Sequence, residues 1–273
     1  MNKPLRITVL LSLTDLLHAI AASPYIVYLI TKWNRNHIDM DPYVVIIASI
    51  PSVINLKINL MLTVAVALDR ALALYAPIRY RKISSLIFAN VAFLFGFALG
   101  VCDLILIFTF TKFKRVPDCG ALGCFVSLSF RTYWGVTNMA LSLVVIILTI
   151  FVMVKLQCIR FNSNLSQSSD GRRNKFTKAN CSSLIYLLCS IFFFTTPSVL
   201  VGGTELFGNG IFRFIGPLNL FGMMAAGCSN GIVFIVWNNE IQVLMKRLIC
   251  GMRPLVPPNI INVSQRNAQT TVI

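Results

Sequence analysis

Six stretches of this chain stay apolar long enough to cross the hydrocarbon core of a bilayer, which takes about 20 residues at roughly 1.5 Å of helical rise each. They cover residues 7–30, 44–75, 86–111, 133–156, 181–201 and 211–237. No water-soluble fold of 273 residues can hide six such runs, because only 12% of the residues are charged and 56% are hydrophobic, too little polarity to coat a solvated surface. A mean hydropathy of +0.77 equally excludes a disordered chain. The period-two alternation of a spanning barrel is absent, so the expected fold is all-α, a polytopic membrane bundle of six transmembrane helices.

The formal charge of +15 would suggest a nucleic-acid partner in a soluble protein. Here Lys and Arg sit between the apolar runs, where they report topology, since cytoplasmic connections are enriched in them. Lys3 and Arg6 precede the first run, Arg70, Arg79, Arg81 and Lys82 follow the second, and Lys155, Arg160, Arg172, Arg173, Lys175 and Lys178 follow the fourth. With Lys246, Arg247, Arg253 and Arg266 of the tail they make sixteen on one side, against seven on the other and Lys57 inside the second run. Both termini are therefore expected in the cytoplasm, although Lys112, Lys114, Arg115 and Arg131 dissent from the far side. The head of the chain also has the outline of a signal peptide, with Ala19-Ile20-Ala21 at a cleavage position. Asp15 and His18 interrupt that stretch and residues 25–30 remain apolar beyond it, so one continuous span is expected instead.

No internal repeat is visible, which weakens transporter folds built from two similar halves. The connection 157–180 is polar and reads as a mobile cytoplasmic loop. Within 239–250, Ile241, Leu244, Leu248 and Ile249 fall opposite Lys246 and Arg247, the pattern of a short amphipathic helix on the inner leaflet. Residues 1–250 are thus read as the bundle and 251–273 as a cytoplasmic tail. Cys250 is a candidate for lipidation, with a free thiol as the alternative. The sequons at Asn164, Asn180 and Asn262 lie on the cytoplasmic side and are expected to stay unglycosylated. Pro51 and Pro197 are expected to kink their helices, and Phe192 to Phe194 to face lipid or core.

Ionisable groups inside a bilayer cost several kcal/mol and are tolerated toward a bundle interior. Asp15 lies in the first run, Lys57 with Asn55 and Asn59 in the second, and Asp103 near the outer end of the third. Either a polar ligand cavity or plain hydrogen bonding between helices accounts for amides, but full charges favour an interior role for Asp15 and Lys57. At the end of the second run, Asp69-Arg70 forms a local acid and base pair that can exchange partners when helices move, followed by Pro77-Ile78-Arg79-Tyr80-Arg81-Lys82.

Taken together these residues resemble a rhodopsin-type seven-helix G-protein-coupled receptor. Asp69-Arg70 and Pro77 are similar to that superfamily's Asp-Arg-Tyr box and the proline seven residues beyond its arginine. Asp15 resembles the sodium-site aspartate of the second receptor helix, Pro197 the kink proline of the sixth, and Asn230-Gly231-Ile232-Val233-Phe234 the Asn-Pro-x-x-Tyr box of the seventh. The phrase running from Leu68 to Tyr75, with Pro77 to Arg81, is most similar to the nematode serpentine chemoreceptors, class BC. Ala71, Gly231, Phe234 and Thr195 depart from the superfamily pattern, and no cysteine near the outer end of the second run is placed for the usual disulfide. Cys119 and Cys124 either pair with each other or stay free. On this alignment the six runs correspond to receptor helices two to seven.

The resemblance implies a chemosensory receptor in the plasma membrane, with a small-molecule ligand, a heterotrimeric G protein and lipid as partners and no nucleic acid. Lys57, Asn55 and Asn59 are then the candidate ligand residues, and Asp15, Asp69, Arg70, Asn230 and Pro197 the switch. Arg79, Arg81, Lys82, Arg172 and Arg173 are the candidate G-protein contacts. The alternative is a six-helix channel or small transporter with Asp15 and Lys57 as pathway charges. An enzyme ranks third, since His18 and His37 are the only histidines and no carboxylate cluster joins them. No cofactor and no metal are expected.

Overall fold

The computed structural model describes residues 3–32, 39–82, 84–117, 119, 122–165, 184–206, 212–237 and 242. All regular structure among them is helical. In order these are α1 (Lys3–Thr31), α2 (Pro42–Tyr75), α3 (Pro77–Lys82), α4 (Ser85–Phe110), α5 (Leu122–Phe125), α6 (Leu128–Leu165), α7 (184–190), a π turn (Ile191–Thr195), α8 (Thr196–Leu206) and α9 (Phe212–Trp237). Four single helices and the α7 to α8 rod are long and apolar enough to cross a membrane. α9 spans about 39 Å at 1.5 Å per residue, but its described apolar stretch is the shorter Leu220–Val236. Residues 1–234 make one compact unit and 235–273 a second.

α2 is the hub. It packs on α1, α4 and α6, and buries both ends and most of its length, from Val45 to Leu74. Its start is set locally: Asp41 accepts a hydrogen bond from the Tyr43 N–H at 2.9 Å, and Pro42 occupies the first turn, where its missing N–H costs nothing. Its end is set by Pro77, which pushes Ala76 out of the helical region (ψ 62°); α3 then restarts with Pro77 in its own first turn. The other long helices bury a stripe and turn Leu, Ile, Val and Phe outward, as Leu94, Phe95, Ile105 and Phe108 do on α4.

Glycines fix the closest helix approaches. A Cβ at Gly96 would stand 2.8 Å from Ile58 Cα, and one at Gly100 would stand 2.9 Å from Ile54 Cα, so this small-xxx-small pair presses α4 onto the α2 backbone. Gly202 likewise seats α8 on α6, where a Cβ would be 2.6 Å from the Gly135 carbonyl oxygen.

One expectation is corrected. Residues 157–165 extend α6 instead of opening the loop, because they contain neither Pro nor Gly and the helix continues its own hydrogen bonds. Around Pro197 the chain adopts a π turn: proline offers no N–H to the Phe193 carbonyl, and the Thr196 N–H and the Thr195 and Thr196 hydroxyls all converge on the Ile191 carbonyl. A side chain at Gly222 of α9 would overlap that Phe193 carbonyl, so only glycine fits there. Phe192 is 70% exposed, whereas Phe193 packs with Leu56, Leu60 and Met223. α2 continues through Pro51.

On the side assigned to the outside by charge, the connection from α4 to α6 folds back over the bundle. Phe113, Val116, Leu122 and Val126 pack on Tyr25, Met40, Val45 and Ile107, and Cys119 is disulfide-bonded to Cys124.

Candidate functional site

Positions 57 and 59 are about 200° apart around a helix, so the two polar residues leave α2 on opposite sides. The sequence grouped Asn55, Lys57 and Asn59 as one ligand set; the structure places Lys57 and Asn59 in two different clusters.

On the α4 and α6 side, Lys57 is 2% exposed. Its ammonium donates to Asn138 Oδ1 at 2.6 Å and to Thr137 Oγ1 at 3.0 Å, and stands 3.5 Å from Asp103 Oδ2. Side chains lean toward the N-terminus of their own helix, which carries Lys57 from the level of Gly96 toward Asp103. The close Gly96 and Gly100 contact therefore brings the two charges within reach. Asn138 and Thr137 were not singled out in the sequence, where one amide in an apolar run is a faint signal.

On the α1 and α9 side, Asp15 accepts from Asn59 Nδ2 at 2.8 Å and from Asn230 Nδ2 at 3.0 Å, while Thr14 Oγ1 donates to Asn59 Oδ1 at 3.1 Å. Gly227 lets α9 approach, since a Cβ there would sit 3.3 Å from Asp15 Cβ. Three helices thus meet on one carboxylate. The Asn55 amide nitrogen and Asn230 Oδ1 are buried without a hydrogen-bond partner. Both Asn59 and Asn230 turn donors toward Asp15, an arrangement that satisfies the carboxylate itself; rotated amides would instead offer carbonyl oxygens to a monovalent cation. Among the described residues no group of three or more His, Cys, Asp or Glu side chains is placed to hold a metal.

The third cluster closes the C-terminal end of α2. Asp69 and Arg70 are 6% and 4% exposed and form an ion pair with each other. Tyr80 of α3, which Pro77 folds back toward α2, donates its hydroxyl to Asp69 Oδ2 at 3.5 Å. Burial, reinforced by the Asp69 charge, raises the Tyr80 phenol above its ordinary value of 10.0. Beside this cluster Arg79 and Lys82 are exposed. The Arg81 side chain, Arg172, Arg173 and Cys250 lie outside the described residues, as does the amphipathic segment except for Gln242. Pro197, the remaining switch residue, is buried behind the π turn, against Gly222.

No curated protein matches the chain. The model of the serpentine type 7TM GPCR chemoreceptor Srbc family matches residues 5–238, nearly the whole of the bundle just described. The three polar clusters strung along α2 thus sit in a multi-pass membrane protein that belongs to the Srbc family of serpentine chemoreceptors.

Proposed function

We propose that this chemoreceptor binds a small extracellular molecule at the plasma membrane and passes a conformational change to a heterotrimeric G protein. The observation that carries the reading is the buried Asp69–Arg70 pair beneath Tyr80, at the end of the helix that also holds the Lys57 and Asp15 clusters. A guanidinium held by a neighbouring carboxylate is a latch: it stabilises one arrangement and is free to change partner in another. Ligand enters from the outer side near Lys57 and works by binding one arrangement more tightly than the other. The Asp15, Asn59 and Asn230 network ties α1, α2 and α9 together, so a shift of α2 is felt by α9; Pro197 and its π turn give the α7 to α8 rod a place to bend. Arg79, Arg81, Lys82, Arg172 and Arg173 supply the basic surface for the G protein.

The channel alternative loses its main support. Asp15 and Lys57 lie on opposite sides of α2, each engaged by its own partners, which favours the receptor over the channel reading. The test is Arg70→Ala in cells reporting a second messenger. Signalling per receptor at the cell surface is lost, while the Asp69 charge left buried without its cation lowers the surface level as well; unchanged signalling per surface receptor would refute the latch.

A further inference from the structure

At the end of the bundle that the charge count assigns to the cytoplasm, α2 and α6 are joined by Leu74, Val152 and Leu156, which pack together in the interior. Their chain neighbours Tyr75 and Lys155 are rotated about 100° away, onto the edge between the two helices. Tyr75 is 53% exposed; its hydroxyl donates to the Phe151 carbonyl oxygen at 3.2 Å, and the Lys155 ammonium stands over its ring, 5.3 Å from the centre. A ring face leaves the ammonium its N–H donors, and among the described residues Lys155 pairs with no carboxylate. It caps a stripe of α6 that faces lipid, where Ile147, Ile150, Phe151 and Val154 are exposed on successive turns. Two residues past Tyr75, α3 begins and adds the exposed cations Arg79 and Lys82, within roughly 15 Å of Tyr75 along the chain, together with Ile78, 77% exposed. The one described carboxylate at this end, Asp69, is buried and held by Arg70.

We propose that this edge, with α3 beside it, is the docking surface for an inner-leaflet phospholipid whose headgroup carries more than one negative charge. Acyl chains lie along the Phe151 and Val154 stripe, and headgroup phosphate oxygens accept from Lys155 Nζ, with Arg79 and Lys82 adding positive charge. Such a ligand needs no cavity, since acyl chains cover the stripe in any bilayer and only the headgroup is selected. Tyr75 is a positioning residue: its hydroxyl is tied to the Phe151 carbonyl, and its ring holds the long Lys155 side chain at the membrane edge. A bilayer lipid fits this place better than a soluble protein, because the cation terminates a face that lies against hydrocarbon. Three cations with no free carboxylate among them favour a polyvalent headgroup over a zwitterionic one, whose charges cancel, and over a singly charged one. The proposal goes beyond the G-protein reading and does not rest on it, although Arg79 and Lys82 serve both.

The test is native mass spectrometry of the purified full chain in detergent, titrated with dioctanoyl phosphatidylinositol bisphosphate and, separately, with dioctanoyl phosphatidylserine, dioctanoyl phosphatidylcholine and free inositol trisphosphate. The bisphosphate lipid binds saturably and about tenfold or more tighter than phosphatidylserine, phosphatidylcholine shows no saturable binding, and inositol trisphosphate, a headgroup without chains, binds more weakly than the lipid. Lys155→Met lowers the affinity about fivefold, the share of one basic residue at a charged membrane, and Lys155→Arg restores it. Tyr75→Ala loses as much and adds nothing to Lys155→Met, whereas Tyr75→Phe keeps the ring and most of the binding. Lys112→Gln with Lys114→Gln, exposed cations between α4 and α5, changes the net charge elsewhere and leaves binding as in the parent. If Lys155→Met does not fold, the exposed pair Arg79→Gln with Lys82→Gln takes its place and loses about 25-fold. The proposal is overturned if the bisphosphate lipid binds no tighter than phosphatidylserine, if inositol trisphosphate binds as tightly as the lipid, or if Lys155→Met or its replacement binds like the parent. Binding is read with no G protein present, so its failure leaves the receptor reading intact, and absent coupling leaves a lipid result intact.

Discussion

Replacing Lys57 by Met removes the cation beside a carboxylate that is fully buried, and also strips Asn138 Oδ1 of its donor. Breaking a buried ion pair from one side costs about 3–5 kcal/mol, because the surviving charge stays out of water without compensation. Asp103→Asn sits at the low end of that range, since Lys57 keeps Thr137 and Asn138. Replacing both charges, Lys57→Met with Asp103→Leu, leaves neither partner's charge behind. It costs only the orphaned Asn138 acceptor, about 1–3 kcal/mol. The double variant is therefore more stable than Lys57→Met alone. At roughly 2–4 °C per kcal/mol for a chain of this size, Lys57→Met melts on the order of 10 °C below the parent and the double variant recovers about half of that. Fluorescence-detected size exclusion after heating measures each midpoint, with surface labelling as a cellular check. If the two single losses simply add in the double variant, to within about 0.5 kcal/mol, the charges are not coupled and the cluster does not hold the helices as described.

Gly100→Leu forces α4 off Ile54, where even a Cβ would stand 2.9 Å from the Cα, and lowers the folded yield severalfold; Ala98→Leu, at an exposed position of the same helix, is the control, and equal yields would refute the contact. Tyr80→Phe removes one long hydrogen bond from Asp69 and raises ligand-free signalling by about twofold, for roughly 0.5 kcal/mol. Because the phenol is raised above 10.0, its contribution is complete at lower pH and falls away only as pH rises past that value. Ligand-free signalling that tracked pH between neutral and about 9 through Tyr80 would contradict this.

The apolar runs were enough to place the helices, because lipid forces every backbone polar group to be satisfied within its own segment and leaves little else a long apolar stretch can do. The start of α2 at Asp41–Pro42, its end before Pro77 and the break at Pro197 are local too, each set by a missing N–H or a nearby cap. Asp15 and Asn230 were each singled out by a separate motif, and the Asp69–Arg70 pair by adjacency, but that Asp15 and Asn230 meet came only from the structure. What the sequence could not decide was direction. Lys57 and Asn59 look like neighbours in the chain, yet helical rotation sends one to Asp103 and Asn138 and the other to Asp15. Which partner stands on each side of α2 depends on how closely α4, α6, α1 and α9 approach it. That distance is set by contacts such as Gly96 on Ile58, between residues far apart in sequence, and exists only once the bundle has packed.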